Sequence, residues 1–205
     1  TTRYTYDPSG IRRTSEVIAQ TVGGSPSITK TRTHFLVDAN QPYAQVLEDW
    51  TATATQPGTT EPTLPDASLQ NAYVFGDDLL EEVRYASLIG TPTPRDPTDG
   101  GNDANARIGV NTGTSALHYD GLGSTRLLSA INVDATGAPL AGNETITDSY
   151  AYTAFGESDL ASITGTTSNN YRFTGEQLDP NLGWIYLRAR LMNPAQGRFV
   201  SQDAW

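Results

Sequence analysis

Cysteine and histidine, which commonly catalyse reactions or bind metal ions, are almost absent from this chain. The 205-residue sequence contains no cysteine, which excludes disulfide bonds and thiolate metal sites. Its two histidines, His34 and His118, lie far apart, and each precedes an aromatic residue. Neither has the sequence context of a metal-binding or catalytic motif, so we predict that both occupy strand positions.

One acidic stretch has the oxygen ligands that Ca²⁺ prefers, since three aspartates surround two glycines at 96–103. They are Asp96, Asp99 and Asp103. The stretch lacks the terminal glutamate of an EF-hand loop, so a solvated acidic loop is the favoured interpretation and no cofactor is expected. Residues 143–145 match the N-glycosylation acceptor pattern, which arises readily by chance.

The balance of charge disfavours several classes of partner. Asp and Glu number 23 against 13 Lys and Arg, which gives a formal net charge of −10. Such a surface repels phosphate backbones, so we expect no nucleic-acid binding.

The sequence has no run of about 18 apolar residues, so we expect no membrane insertion. The first residue is Thr1 and not Met, and we expect a processed product or a fragment.

Strand-and-turn patterns dominate the sequence, and helical periodicity is hard to find. Polar and apolar residues alternate on either side of Gly, Asn and Asp turns, which is the pattern of β-hairpins. Predicted strands of this kind are 4–6, 31–37, 43–48 and 126–133. Residues 77–84 fit either a helix or part of two strands joined at 76–78, and the repeated hairpins favour the second interpretation.

Two stretches interrupt this pattern. Residues 51–68 are rich in Thr and Pro, and residues 91–106 in Pro, Gly and Asp, so we predict two long surface loops. Elsewhere one unit recurs: an aromatic strand, a turn with Asp or Gly, and a return strand. Its copies begin near Tyr4, Phe35, Tyr73, Tyr119 and Tyr152. A single unit cannot bury its own face, so the copies must stack or extend one sheet.

The second half of the chain carries five sharper motifs in order. They are YDGLGSTR at 119–126, YAYTAFGE at 150–157, YRFTGE at 171–176, DPNLGWIYLRAR at 179–190 and NPAQGRFVSQD at 193–203. This ordered series resembles the core domain of RHS proteins, and upstream units such as 4–10 resemble the associated YD repeats. The resemblance is loose before residue 110 and strong from about residue 117 onward.

The resemblance implies an all-β fold in which antiparallel YD-type hairpins form a curved or spiralling sheet, a shell segment, closed by an RHS core region. It divides the chain into a YD-repeat-like β segment at 1–110 and an RHS core-like region at 111–205. In that family the shell surrounds a C-terminal polypeptide, often a toxin. In many members the core is also an intramolecular aspartyl protease that releases this polypeptide.

By the same resemblance, Arg198 and Asp203 match the arginine and the first aspartate of the family's self-cleavage centre. Ala204 stands where the family usually has Pro, and Asn193 where it more often has Asp. The second aspartate and the scissile bond of the family have no counterpart up to Trp205. We therefore expect no self-cleavage by this chain.

Asp179 is an alternative partner acid, but the DPNLG sequence at 179–183 is first of all that of a turn. We interpret the other arginines of the core-like region as structural braces that pair with carboxylates or strand-end carbonyls. They are Arg126, Arg172, Arg188 and Arg190.

Three functions remain open. The favoured one is a structural shell segment of a larger secreted or cell-surface bacterial protein, which encapsulates or displays a C-terminal polypeptide and has no enzymatic activity of its own. Its partners would be the rest of the parent chain or identical copies, joined through strand edges, and an enclosed toxin polypeptide. The second is an incomplete aspartyl autoprotease. The third is an adhesion or carbohydrate-binding module that displays the loops at 51–68 and 91–106.

Overall fold

The computed structural model describes residues 1–23, 25–40, 44–76, 78–85, 111–132, 144–159, 161–188 and 190–202. Those ranges contain thirteen β-strands and no α-helix, so the predicted all-β fold is confirmed. In chain order the strands are β1 (Thr2–Tyr6), β2 (Arg12–Thr21), β3 (Ser27–Asp38), β4 (Gln45–Pro57), β5 (Ser68–Phe75), β6 (Leu79–Tyr85), β7 (Asn111–Tyr119), β8 (Thr125–Ile131), β9 (Thr145–Ser149), β10 (Gln177–Asp179), β11 (Trp184–Leu187), β12 (Arg190–Asn193) and β13 (Arg198–Phe199).

Within each sheet, every strand after the first lies beside the strand that precedes it in the chain. Strands β1 to β9 follow one another in a nine-stranded sheet, and β10 to β13 do so in a four-stranded sheet. Pairing is antiparallel wherever the register is defined. This arrangement is a succession of hairpins, because antiparallel neighbours need only a short connecting turn.

The backbone contacts divide the chain into two compact units. Unit 1 comprises Thr1–Tyr6, Arg12–Ala72 and Arg84–Thr112, and unit 2 comprises Asp7–Ile11, Tyr73–Val83 and Gly113–Trp205. The boundary predicted between residues 110 and 111 adjoins 86–110, which lie outside the described residues together with the loop predicted at 91–106.

Residues 78–84, the described part of 77–84, belong to a hairpin and not to a helix, as the repeated pattern indicated. Strand β5 ends at Phe75, β6 begins at Leu79, and the Gly76 N–H donates to the Asp78 carbonyl oxygen at 2.8 Å. The aliphatic residues then alternate, with Leu79 buried at 4% exposure and Leu80 at 51%. Leu79 therefore packs inward and Leu80 meets solvent, while Glu82, two residues further on the side of Leu80, is again buried at 1% exposure.

The loop predicted at 51–68 is wrong over its first seven residues, because β4 continues through them to Pro57. Thr51, Thr53 and Thr55 alternate with alanines and lie opposite the threonines of β3. The facing hydroxyl oxygens are 2.9 to 3.0 Å apart in the pairs Thr29–Thr55, Thr31–Thr53 and Thr33–Thr51. Threonine is a good strand former when it pairs across strands, so a composition typical of loops produced a strand.

A five-residue turn with one backbone hydrogen-bond pattern occurs four times, each time directly after a tyrosine. The turns are 7–11, 120–124, 153–157 and 172–176, after Tyr6, Tyr119, Tyr152 and Tyr171. In each, the N–H of the first residue donates to the carbonyl of the fifth at 2.9 to 3.0 Å. The fourth residue is always a glycine with φ between 67° and 86°, where other residues are strained. We call these the Tyr-x-x-x-Gly turns.

Candidate functional site

Arg198, the arginine of the proposed self-cleavage centre, lies exposed on β13 at one edge of the four-stranded sheet. It is paired in register with Asn193 of β12. The guanidinium of Arg190 lies over the ring of the neighbouring Phe199, 3.6 Å from the ring centroid. Asp203, the acid of that centre, lies outside the described residues, so the assignment of this pair stays a prediction.

Asp179, the alternative acid, is buried at 2% exposure at the end of β10 and forms the predicted turn. Its carboxylate accepts the N–H groups of Asn181 and Leu182 at 3.0 and 3.2 Å, and its carbonyl accepts the Gly183 N–H at 2.8 Å. Strands β10 and β13 lie at opposite edges of their sheet, which separates them by about 14 Å. Asp179 therefore does not lie beside Arg198.

Both histidines occupy strand positions, as predicted. His34 lies exposed on β3 opposite Trp50, and His118 lies exposed on β7 with its Nε2 2.8 Å from Ser129 Oγ. Within the described part of the chain, no three His, Asp or Glu side chains gather closely enough to hold a metal ion. Asn143 and the three aspartates of the possible calcium loop lie outside that part.

Buried polar groups are the most distinctive chemical feature of unit 2. Four polar side chains act on the Tyr150 hydroxyl: the buried Glu82, Asp148 and Asn169, and the half-buried Arg172. Together with Tyr150 we call them the Asp148 cluster. Glu82, Asp148 and Asn169 are only 1 to 2% exposed. Buried carboxylates are costly unless hydrogen-bonded or paired, so their partners define what the cluster does.

The Asp148 cluster fastens the segment at 164–172 to β9. Asp148 Oδ1 accepts the Thr167 N–H at 2.8 Å, and Ser149 exchanges two backbone hydrogen bonds with Thr164. Asn169 holds both backbone groups of Tyr171, at 2.8 and 2.9 Å. Arg172 donates to the Asn169 carbonyl at 3.0 Å and places its guanidinium 5.2 Å from the Tyr150 ring centroid. These contacts are those of a structural brace.

Electrostatics within the cluster keep the Tyr150 hydroxyl protonated. Burial raises the pKa of Tyr150, and the negative charges of Asp148 and Glu82 raise it further. Arg172 and Asn169 offset part of this increase in pKa. A hydroxyl held in this way donates a hydrogen bond and does not act as a base near neutral pH.

No pattern in the sequence pointed to this cluster. Asp148 stands in a run, TITDSY at 145–150, that is ordinary for an exposed strand. Its burial results from the close approach of Gly165, where a Cβ would lie 2.5 Å from the Thr147 carbonyl oxygen and still closer to the Asp148 carboxylate. That approach is a tertiary contact, and single-sequence periodicity carries no signal for it.

Three of the Tyr-x-x-x-Gly turns of unit 2 are held together by packing between them. The Thr174 N–H of turn 172–176 donates to Ser124 Oγ of turn 120–124 at 2.9 Å. The ring of Phe173 covers Gly156 of turn 153–157 so closely that a Cβ there would lie 2.5 Å from it. The turn glycines thus allow close packing as well as a positive φ.

The tyrosines that precede these turns bind the backbone of other strands. The hydroxyl of Tyr119 donates to the Leu79 carbonyl at 2.6 Å, and that of Tyr152 donates to the Thr125 carbonyl at 2.7 Å. The ring of Tyr171 packs edge-on against Tyr73 with centroids 5.0 Å apart. Each tyrosine therefore joins a turn to a strand distant in sequence.

Arginines brace the same unit, as predicted. Arg126 pairs with Asp120 at 2.8 Å, and Arg188 pairs with Glu176 at 2.5 Å. The Asp120 carboxylate also accepts the N–H groups of Leu122 and Ser124, and these bonds with Arg126 lower its pKa although desolvation opposes them. The Asp120 carboxylate therefore both stabilises its turn and forms an ion pair.

Unit 1 has a separate charged group centred on Glu16 of β2, which is 6% exposed. Its carboxylate lies within 3.5 Å of cationic nitrogens of Arg3, Lys30 and Arg32, and Lys30 and Arg3 also contact Glu61. Burial raises the pKa of Glu16, but the hydrogen bonds and positive charges of Arg32 and Lys30 outweigh it and lower the pKa overall. We call these five residues the Glu16 network.

Comparison with known protein families and with curated proteins found no match to this chain. In the part of the chain that the structure describes, no helix is long and apolar enough to cross a membrane.

Proposed function

We propose that this chain is a structural segment of a larger secreted or cell-surface bacterial RHS/YD-repeat protein, whose curved sheet encapsulates or displays a C-terminal polypeptide. The observation that carries this proposal is the recurrence, at four places, of the Tyr-x-x-x-Gly turn with the same backbone hydrogen bonds and a glycine of positive φ. In three of the four copies the tyrosine also contacts a residue distant in sequence, whereas Tyr6 is 48% exposed. A local unit that recurs along the chain in this way suits a sheet of variable length.

The polar groups of the site support a structural role over catalysis. The carboxylates of Asp148, Asp179 and Asp120 accept backbone N–H groups, and Glu16 is surrounded by cations. A catalytic carboxylate must keep an oxygen available to substrate or water in a cleft. These four groups are used to hold turns and strands.

The partners of such a segment bind at the edges of its sheets. Strand β1 lies at one end of the strand order, and Thr1 exchanges two hydrogen bonds with Ile18 of β2. In an antiparallel pair the backbone groups of the next residue, Thr2, therefore point away from β2. An edge of this kind is a template for a further strand, supplied by the parent chain or by a second copy.

Light scattering over a dilution series tests this proposal with one edge variant. Thr2→Pro removes an outward N–H without disturbing the β1–β2 ladder, so we expect it to reduce self-association while leaving the melting temperature close to that of the wild type. Thr5→Pro is the control, because its N–H faces β2 and its loss should destabilise the hairpin itself. A concentration-independent wild-type monomer with one sharp melting transition would contradict the proposal.

A further inference from the structure

Strand β13 is an edge of the four-stranded sheet, and part of its backbone points away from that sheet. The Val200 N–H donates to the Leu191 carbonyl of β12 at 2.9 Å. Phe199, one residue earlier, is paired in register with Met192. In an antiparallel ladder, a residue beside a hydrogen-bonded pair has its own N–H and C=O directed away from the partner strand. The N–H and C=O of Phe199 therefore point outward, where a further strand can bond to them.

The side chains beside this edge are apolar and open to solvent. Phe155, Phe199 and Val200 are 45 to 58% exposed. Phe155 belongs to another turn, but its ring lies against Gly197 at the start of β13, where a Cβ would be 2.9 Å from it. Successive strand residues project to opposite faces, so Phe199 and Val200 lie on the two faces of β13. Exposed apolar groups that lie together are typical of interaction sites, and here a further strand would meet them on both faces.

The charge around β13 is opposite in sign to that of the whole chain. Residues 180–202 contain three arginines and no Asp or Glu, whereas the chain has a formal net charge of −10. Arg188 is paired with Glu176. Arg198 is exposed on β13 and forms no ion pair with a carboxylate that the structure describes. A partner with a carboxylate at this position would therefore be electrostatically complementary to the edge.

We propose that the β13 edge binds an extended acidic peptide segment as an additional antiparallel strand. One residue of that peptide exchanges two backbone hydrogen bonds with Phe199 and packs an aromatic side chain beside the ring of Phe199. The residue before it packs on Val200, and the residue after it places a carboxylate beside Arg198. The recognised order is therefore aliphatic, aromatic, acidic. This binding goes beyond the function proposed above, since it requires only unit 2 and not the parent protein.

A fluorescently labelled, end-blocked peptide of sequence Thr-Val-Tyr-Glu-Thr tests the proposal without any change to the protein. We expect its anisotropy to rise saturably as the wild-type chain is added. N-methylation of the tyrosine nitrogen should weaken binding about tenfold or more, because it removes the hydrogen bond to the Phe199 carbonyl. N-methylation of the glutamate nitrogen is the matched control, because that N–H points away from β13 and its loss should leave the affinity unchanged.

The contribution of charge is measured by a double-mutant cycle. Arg198→Gln should lower the affinity for this peptide about two- to fivefold, and it should have little effect on binding of a peptide with Gln in place of Glu. Because Arg198 is exposed, the variant should keep the melting temperature of the wild type. Equal losses of affinity for the Glu and Gln peptides would overturn the role assigned to Arg198 and the acidic character of the partner.

Amide hydrogen exchange locates the bound peptide. Exchange of the Phe199 N–H should slow on binding, while that of the Val200 N–H, already bonded to Leu191, should change little. The absence of saturable binding, or equal affinities for the two N-methylated peptides, would overturn the proposal. Protection of Thr2 in place of Phe199 would also overturn it, but would leave the proposed use of the β1 edge intact. If Phe199 were protected by raising the protein concentration without peptide, the occupant would be a second copy and not an acidic peptide.

Discussion

Gly165 contacts the carboxylate of Asp148 so closely that a larger residue must displace it. Its φ is 87°, so Gly165→Ala adds backbone strain of about 1–2 kcal/mol to a steric cost of about 1–3 kcal/mol. Urea unfolding should therefore give a free energy of unfolding that is lower than that of the wild type by the sum of these two costs. Gly183→Ala isolates the backbone term, because Gly183 has a φ of 66° and no atom lies within 4 Å of the point that its Cβ would occupy. Equal losses in the two variants would contradict the steric argument.

The Glu16 network predicts a pH dependence of stability. The pKa of Glu16 is lower in the folded chain than in the unfolded chain, so its ionised form stabilises the fold. This contribution is fully present above the pKa of an unfolded Glu, about 4.3, and is lost as the pH falls through the lower pKa of the folded state. The melting temperature of the wild type, measured from about pH 3 to about pH 7, should fall toward the acid end of this range.

Glu16→Gln should remove about 1–3 kcal/mol at neutral pH, because the charged hydrogen bonds with Arg32 are lost while the side chain keeps its size. The difference from the wild type should shrink as the pH is lowered. Glu61→Gln is the matched control, because Glu61 also contacts Lys30. Its effect on stability should be much smaller, since Glu61 is exposed. A constant difference at every pH would refute the role assigned to the Glu16 charge.

At the scale of the element, the Tyr-x-x-x-Gly turns offer an internal comparison. Tyr119 and Tyr6 occupy the same position before their turns, but Tyr119 donates to the Leu79 carbonyl while Tyr6 is 48% exposed. Tyr119→Phe should therefore cost about 1 kcal/mol in chemical denaturation, and Tyr6→Phe should be close to neutral. If both substitutions had the same effect, the hydroxyl of Tyr119 would not be the group that joins its turn to β6.

These elements also show what could be predicted from sequence. The turn at 7–10 was predictable because its proline and its glycine with positive φ determine the backbone conformation within four residues. The strand through Thr51 and Thr55 was missed because its stability comes from pairing with β3 and not from its composition. The burial of Asp148 was not predictable, since it depends on Gly165, which approaches from another part of the chain.

At the scale of the whole molecule, we expect the purified chain not to cleave itself. Arg198 and Asp203 are the only residues matched to the proposed centre, and Asp179 lies across a four-stranded sheet from Arg198. Intact-mass spectrometry after incubation from mildly acidic to neutral pH should show one species of unchanged mass. A discrete fragment that is absent from Asp203→Asn would instead establish the autoprotease.

The nearest-neighbour strand order has a consequence for how the chain acquires its structure. Because each described strand after the first in its sheet pairs with the strand made just before it, its partner is already present when it emerges, and closure costs little entropy where the connection is short. The sheet can therefore assemble progressively from its first hairpin while the rest of the polypeptide is still extended, as during synthesis. Such vectorial folding would turn each completed hairpin into the template for the next.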